Sequence, residues 1–493
     1  MTIHLSILIF WPLLLALLGA LAPRAVAPLF ALVGALVPLG YAVIMLVDFD
    51  PSVAGLQYLT DDAWIDELGI RYTLGVDGLN LWLVALTTLL FAASALWLVL
   101  RPPPRPKLFA VHFGIAETAV LGAFLAQDLA LFVLFFDLML VPFYFLLGQW
   151  GGPDRVAAAM KMVIYTLVGS LLMLAAAVAT ALLASPGPES ISFALSDLRA
   201  SLLGEGTQKL LFSAFALAFL IKMPAFPFHG WMPDTYRNMP LPALAVFSGV
   251  VSKVAAYGFL RIALPLFPEA VADWQMILLI LSLCSIVYGS VLAFTVTNVR
   301  LILGYSSIAQ LGFITLGIFA LDPEARGAQG ALLQAVNHGL VVAPLFLIIA
   351  LLAARAGGSE DLRDMGGIAF RAPVLAALFL IVTLATLAMP GSANFVGEFL
   401  ILLGVFESKL AIALIASIGV VLASVYALRF YIRAMHNRQG AAVTSFEMSF
   451  RDALVIVPLV LAIIAFALYP QRAIDAGEPA VQAASQAVTG GSR

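Results

Sequence analysis

Only six lysines occur in the chain. Three of them, Lys161, Lys222 and Lys253, stand inside or at the edge of apolar stretches long enough to cross a bilayer. Arginine supplies nearly all the other positive charge. A guanidinium does not lose its proton in a protein, whereas the protonation of an ammonium is tuned by its surroundings, so lysine at membrane depth points to proton exchange. Acids occupy comparable settings. Asp137 lies in LFVLFFDLMLVPFYFLL, with Pro142 five positions later, and Glu398 lies in AMPGSANFVGEF (388–399). A charge at the centre of a membrane helix costs roughly 2.5 to 3.5 kcal/mol on insertion scales, so several together imply partners and a purpose. Lys222, beside the break in IKMPAFPFHGW (221–231), is the natural ion partner for Asp137. Lys253 sits mid-span in SGVVSKVAAYGFL, where the hydroxyls of Ser248 and Ser252 can hold water, and His338 follows in AVNHGLVVAPLF next to Asn337.

Asp137, Lys222, Lys253, His338 and Glu398 form a sequence of protonatable stations. At an effective dielectric near 20, a unit charge about 7 Å away is worth roughly 2.4 kcal/mol, enough to move a proton on or off its neighbour. Other candidates stay open between two readings. Glu117, in FGIAETAVLGAF, is a second acid of the pathway or a helix–helix hydrogen-bond partner. Lys161 lies close enough to the cytoplasmic end of its span to snorkel. His229, in the PFHGW turn, is a packing residue or a relay.

These residues need a frame. The chain is 63% hydrophobic and 11% charged, outside the range of soluble globular proteins. Apolar runs near 20 residues recur throughout, and each can span about 30 Å of hydrocarbon as a helix with its backbone satisfied internally. About fourteen spans are expected by this criterion, near 4–21, 28–47, 76–99, 108–125, 128–149, 158–184, 208–229, 241–265, 274–296, 300–319, 328–354, 372–404, 408–432 and 451–470. The expected fold is all-α and polytopic, a single membrane domain over 1–493. The first span has only His4 before it, so it reads as a retained helix rather than a signal peptide.

Prolines interrupt the seventh and twelfth spans in similar local settings, freeing backbone carbonyls at membrane depth. Breaks five helices apart predict two five-helix units, helices 4–8 (108–266) and 9–13 (267–438), following helices 1–3 (1–107) and followed by helix 14 and a tail (439–493). An odd number of spans per unit makes the two inverted, and paired breaks of this kind point to a transport site. Arg24, Arg101, Arg105, Lys107, Arg155, Arg237, Arg300, Arg355, Arg363, Arg371, Arg433 and Arg438 fall on one set of alternate loops, and far fewer basic residues fall on the other. The positive-inside rule then places both termini on the outer face, with the acidic loop of Asp61, Asp62, Asp66 and Glu67.

Several functions have no footing here. Cys284 is the only cysteine, which excludes a Cys-ligated iron–sulfur cluster. No GxGxxG follows a strand and no Walker-type loop occurs, so neither a dinucleotide nor ATP has an evident site. A net charge of −3 gives no sign of nucleic-acid binding.

The chain resembles the antiporter-like membrane subunits of respiratory complex I, the proton-translocating NADH-quinone oxidoreductase, and most closely their subunit M branch. The likeness runs through LGVDGLNLWLVALTTLL (74–90), FFDLMLVPFYFLLGQWGG (135–152), the stretch from Lys222 to Arg261, GYSSIAQLGF (304–313) and MPGSANFVGEFLILLG (389–404). It implies that Asp137 pairs with Lys222, that Lys253 is the central proton carrier, and that Glu398 leads to the exit. It also implies that FMN, iron–sulfur clusters and quinone belong to partner subunits and that this chain holds no cofactor or metal. Homologous antiporter-like subunits would flank it in a bacterial cytoplasmic membrane, among lipids. Two positions depart from the family pattern. Glutamate is usual where Asp137 stands, and one fewer methylene draws the carboxylate back by about 1.5 Å, so that the pair with Lys222 would be direct, water-bridged or rearranged. Histidine is frequent where Gln310 stands; glutamine orients water but carries no proton, so the route there would use water or Ser306 and Ser307. Two other readings remain: a subunit of a multisubunit Na+/H+ antiporter, and a membrane scaffold whose charges only fix packing.

Overall fold

The computed structural model describes residues 4–490 apart from 54, 186, 188, 189 and 202. Its helices are α1 (Leu5–Leu21), α2 (Ala27–Asp48), α3 (Leu81–Leu100), α4 (Pro106–Leu125), α5 (Leu129–Leu138), α6 (Leu140–Trp150), α7 (Arg155–Ala184), α8 (Leu195–Ala200), α9 (Glu205–Lys222), α10 (Met232–Asn238), α11 (Leu241–Val246), α12 (Ser252–Gly258), α13 (Leu264–Leu266), α14 (Pro268–Thr295), α15 (Val299–Ile318), α16 (Arg326–Arg355), α17 (Pro373–Thr386), α18 (Ala393–Ser408), α19 (Leu410–Met435), α20 (Phe450–Leu468) and α21 (Gln471–Thr489). Among the described residues, eleven helical stretches are long and apolar enough to cross a membrane. That is three fewer than the expected fourteen. α1 is one of two shorter apolar helices, α9 carries three charged residues, and α17 and α18 are the two halves of a broken span.

The helices divide by what surrounds them. α7, α14 and α19 turn one apolar face outward, with Leu171, Ile277 and Ile418 exposed, as a lipid-facing helix should. The stretch 241–266, α15 and α16 are almost wholly enclosed. These enclosed elements carry Lys253, Gln310 and His338, so their polar groups are kept away from hydrocarbon.

Both proline-marked breaks are present, and neighbours satisfy the groups they free. α9 stops at Lys222 because Pro224 and Pro227 cannot donate. Trp231 Nε1 then donates to the Ile221 carbonyl at 3.0 Å, and the Phe226 N–H donates to Ser285 Oγ at 2.9 Å. In the second break Ala388 takes φ +52° and Gly391 φ +89°, and Asn337 Nδ2 donates to the Ala393 carbonyl at the start of α18 at 2.6 Å. A third interruption separates α5 from α6 at Met139, where Pro142 has no N–H to give to the Leu138 carbonyl.

Two elements add to the expected all-helical architecture. The acidic segment is a β-hairpin, β1 (Gln57–Ile65) antiparallel to β2 (Ile70–Val76). Its turn needs Gly69, which has φ +65° and whose added Cβ would lie 1.8 Å from the Ile191 carbonyl oxygen. The Arg71 guanidinium, 2.8 Å away, together with the Thr73 hydroxyl at 2.6 Å, holds the Asp61 carboxyl below its ordinary range. At the other end of the chain the expected tail is helix α21, which packs on α13, α14 and α16 through Ala473, Ala476, Gly477, Val481 and Ala484.

Candidate proton-transfer site

Asp137 and Lys222 meet at two of the breaks. Lys222 is the last residue of α9, where a cation suits the helix dipole. Its Nζ donates to the Phe136 carbonyl at 3.3 Å and lies 4.4 Å from the centroid of the Phe136 ring. Asp137 is within electrostatic reach of Lys222 and of Ser170, but its Oδ1 is buried without a hydrogen-bond partner. The direct ion pair expected between Asp137 and Lys222 is not formed. The aspartate side chain is one methylene shorter than the glutamate the family usually has, and the ammonium turns to the backbone carbonyl beside it. A cavity of about 10 Å³ adjoins Lys222 on the side of Phe247 and Val251, room for about one water.

Lys253 is fully buried. It lies in α12 between two π-helical turns, Phe247–Val251 and Phe259–Ala263, and its Nζ donates to the Ser248 carbonyl at 2.7 Å. The Ser248 and Ser252 hydroxyls have no partner. His338 of α16 feels the Lys253 charge, and neither of its ring nitrogens has a hydrogen-bond partner. Glycines permit this approach. A Cβ on Gly339 would lie 2.4 Å from the Gly249 carbonyl oxygen, so any side chain there would force α16 off the π turn that leads into Lys253.

Glu398 lies in α18, buried, with Oε1 accepting from Gln310 Nε2 at 2.8 Å and from Gln334 Nε2 at 3.3 Å. Gln334 Nε2 also donates to Gln310 Oε1 at 2.7 Å. Ser306 Oγ donates to the Tyr426 hydroxyl at 3.1 Å, and Tyr426 is within electrostatic reach of Glu398. Gln334 and His338 are one helical turn apart on the same face of α16. That face therefore joins the Lys253 region to the Glu398 cluster, with Asn337 beside it.

The remaining candidates separate clearly. Glu117 is buried in α4, with Oε1 lacking any partner. Lys161 does not only snorkel: it pairs with Asp234 of α10 at 2.8 Å, at a half-exposed edge. His229 Nε2 shares a hydrogen bond with the Tyr288 hydroxyl at 3.1 Å, among the rings of Phe226 and Tyr288. Ser307 bonds back to the Leu303 carbonyl of its own helix. Sequence reasoning missed Gln334 and Tyr426; the i, i+4 spacing of Gln334 and His338 was the available signal. It also missed a buried ion pair on the Lys253 span, where Arg261 holds Asp77 at 2.5 Å and the Tyr257 hydroxyl at 3.0 Å.

Comparisons with known proteins show which family has this sequence and fold. Residues 126–424 match the family model described as the transmembrane region of NADH:quinone oxidoreductase and Mrp antiporters. NADH-quinone oxidoreductase subunit M of Rhodobacter capsulatus is 36% identical over 496 residues, 97% of this chain and 95% of that protein. Subunit M of Escherichia coli is 36% identical over 429 residues, 85% of this chain and 84% of that protein. A chain of respiratory complex I from Thermus thermophilus superposes with a TM-score of 0.90 at 30% identity, covering 98% of this chain and all of that one. A chain of the Mrp complex from Dietzia shares the fold at 21% identity, with a TM-score of 0.84 over 98% of this chain and 97% of that one.

Proposed function

Because the chain belongs to the NADH:quinone oxidoreductase/Mrp antiporter transmembrane family, we infer that it is a proton-translocating, antiporter-like membrane subunit of a bacterial complex I, of the subunit M type. It moves protons across the inner membrane while other subunits carry electrons from NADH to quinone. Full-length relatives at 36% identity favour this over a Na+/H+ antiporter subunit, since the likeness to the Mrp complex at 21% is one of fold alone.

One observation carries the reading: beyond the Asp137 and Lys222 pair, a set of enclosed polar groups runs from Lys253 through His338 and Gln334 to Glu398, and many of its atoms lack protein partners. Ser248 Oγ, Ser252 Oγ, both His338 nitrogens, Asn337 Oδ1, Gln334 Oε1 and Glu398 Oε2 are all in this condition. Buried polar atoms in native proteins are nearly always satisfied, so ordered water would complete these bonds and connect Lys253 to Glu398. In this scheme Asp137 supplies the counter-charge that holds or releases a proton at Lys222, Lys253 carries it at the centre, His338 passes it along α16 where Gln334 orients the connecting water, and Glu398 delivers it toward the exit. A proton on one station repels the next by about 2 kcal/mol for charges about 7 Å apart at an effective dielectric near 20, which makes transfer directional once a neighbouring subunit perturbs one end.

Several finer features belong to the same proposal. The units 108–266 and 267–438 are inverted repeats, both termini lie on the outer face, and homologous subunits flank the chain in the membrane arm. No redox step occurs within it; flavin, iron–sulfur clusters and quinone reside in partners. The test is made on the native complex in inverted vesicles. NADH oxidation should drive proton uptake that is unchanged when sodium is replaced by choline, in a preparation where this chain purifies with NADH-oxidising subunits. Sodium-dependent transport, or purification without redox partners, would replace this reading by the antiporter.

A further inference from the structure

An apolar slot of about 490 Å³ lies between α2, α3, α16 and α20, outside the line from Asp137 to Glu398. Leu39, Val43, Leu89, Leu340 and Ala462 line its walls, and one end has another character, bringing together Trp82, Tyr469 and Arg472. Trp and Tyr concentrate where a helix meets the membrane–water boundary, and these two occupy the start of α3 and the end of α20. Arg472, in the first turn of α21, is exposed and has no hydrogen bond or ion pair among the described residues. Trp82 packs edge-on against Phe466 at 5.0 Å, and its indole Nε1 is buried without an acceptor.

The dimensions narrow the occupant. From Leu39 to Leu46 and from Trp82 to Leu89 the slot follows seven residues of helix, about 10 Å at 1.5 Å per residue. That depth fits within one leaflet, half of a hydrocarbon core about 30 Å thick. Along this length the walls are aliphatic and the polar groups gather at one end, the pattern of an alkyl chain below a headgroup. We propose that the slot is a binding site for an anionic phospholipid, with an acyl chain packed between α2, α3 and α20, its interfacial region against the Trp82 and Tyr469 rings, and the phosphate on Arg472. The free guanidinium gives the site its preference for net negative headgroups.

The experiment uses the intact complex in phosphatidylcholine nanodiscs containing a minor fraction of diazirine-bearing phosphatidylglycerol, with adducts mapped by peptide mass spectrometry. Adducts are expected on the 82–89 and 462–469 peptides, competed by unlabelled phosphatidylglycerol and not by phosphatidylcholine. Arg472→Gln should lower their yield about fivefold, the equivalent of about 1 kcal/mol for one basic residue at an anionic surface. NADH-driven pumping at wild-type level checks that the variant is assembled. Equal competition by both lipids, or a yield indifferent to Arg472→Gln, means unspecific boundary lipid and overturns the proposal; a slot free of adducts because a neighbouring subunit covers it overturns it too.

Discussion

Lys253→Met separates a proton carrier from a structural lysine. The two side chains are similar in length, so the space filled in α12 changes little. The substitution removes the 2.7 Å hydrogen bond from Nζ to the Ser248 carbonyl. An unpaired buried acceptor costs about 1–3 kcal/mol, and removal of a buried ammonium's desolvation acts in the opposite direction. Assembly should therefore be close to normal. Function should not be. The Lys253 charge acts on His338, and a unit charge removed from about 7 Å at an effective dielectric near 20 is worth roughly 2.4 kcal/mol, enough to alter which groups hold a proton. Without it the succession from Lys222 to Glu398 is cut in the middle, and NADH-driven proton uptake should fall to a few per cent of wild type while the complex runs intact on native gels. The assay is dye quenching in inverted vesicles, normalised to the assembled complex. A Lys253→Met complex that assembles and pumps at the wild-type rate would refute the reasoning, since a lysine that can be dispensed with carries no protons.

Asp137→Asn should leave assembly intact and reduce pumping well below wild type; normal pumping would place the charge switch elsewhere. Asp137→Glu should retain pumping and draw Lys222 Nζ from the Phe136 carbonyl into a direct carboxylate contact, visible in a density map, because the added methylene advances the carboxylate by about 1.5 Å. Gly339→Ala would put a Cβ 2.4 Å from the Gly249 carbonyl oxygen and 2.6 Å from Leu86 Cδ2, and backbone cannot yield as a rotamer does. It should destabilise by about 1–3 kcal/mol, lower the melting temperature and impair pumping, whereas Gly249→Ala meets mainly the Leu90 methyl end at 2.4 Å and should be milder. Gln334→Leu removes the donor shared by Gln310 and Glu398 and should slow pumping at unchanged NADH oxidation capacity; an unaffected rate would exclude Gln334 from the route.

Much of this was legible because membrane insertion punishes charge so heavily. An acid or base inside an apolar run stands out, as do prolines 224 and 390 within spans, and these signals located Asp137, Lys222, Lys253, Glu398 and both breaks. What escaped lacked any such penalty in the sequence. Gln334 and Tyr426 are neutral and common in helices, so only their tertiary neighbours mark them. The π turns on either side of Lys253 leave no compositional trace, since Phe247–Val251 reads as ordinary helix. The hairpin is hidden by a different bias: TDDAWIDELG looks like a solvated acidic loop, although TDDAWI and IRYTLGV are rich in residues that favour strands and Gly69 supplies the turn. α21 reads as a tail because its mean hydropathy is low, but its small and apolar residues recur at three- and four-residue intervals from Ala473 to Val488, which is the spacing of one buried face.

The geometry also distinguishes the two halves of the proposed route. From Lys253 through His338 and Gln334 to Glu398, successive residues bring polar atoms that water can join, and the Gln310–Gln334–Glu398 cluster is already hydrogen-bonded. Beside Lys222, by contrast, Met139, Leu140, Phe143, Phe247 and Val251 form most of the lining of a cavity of about 10 Å³, with Thr166 at one side. A lone water there would find only one or two of the two to four polar partners it needs. If protons follow the proposed route, reaching Lys253 from Lys222 would call for movement of the α5–α6 junction or of the π turn ahead of Lys253, both of which are interruptions in otherwise regular helices. A step that conducts only when such an element shifts is where a conformational signal from a neighbouring subunit can control proton flow, so the interruptions at Met139 and Phe247 follow from what coupling demands as much as from Pro142.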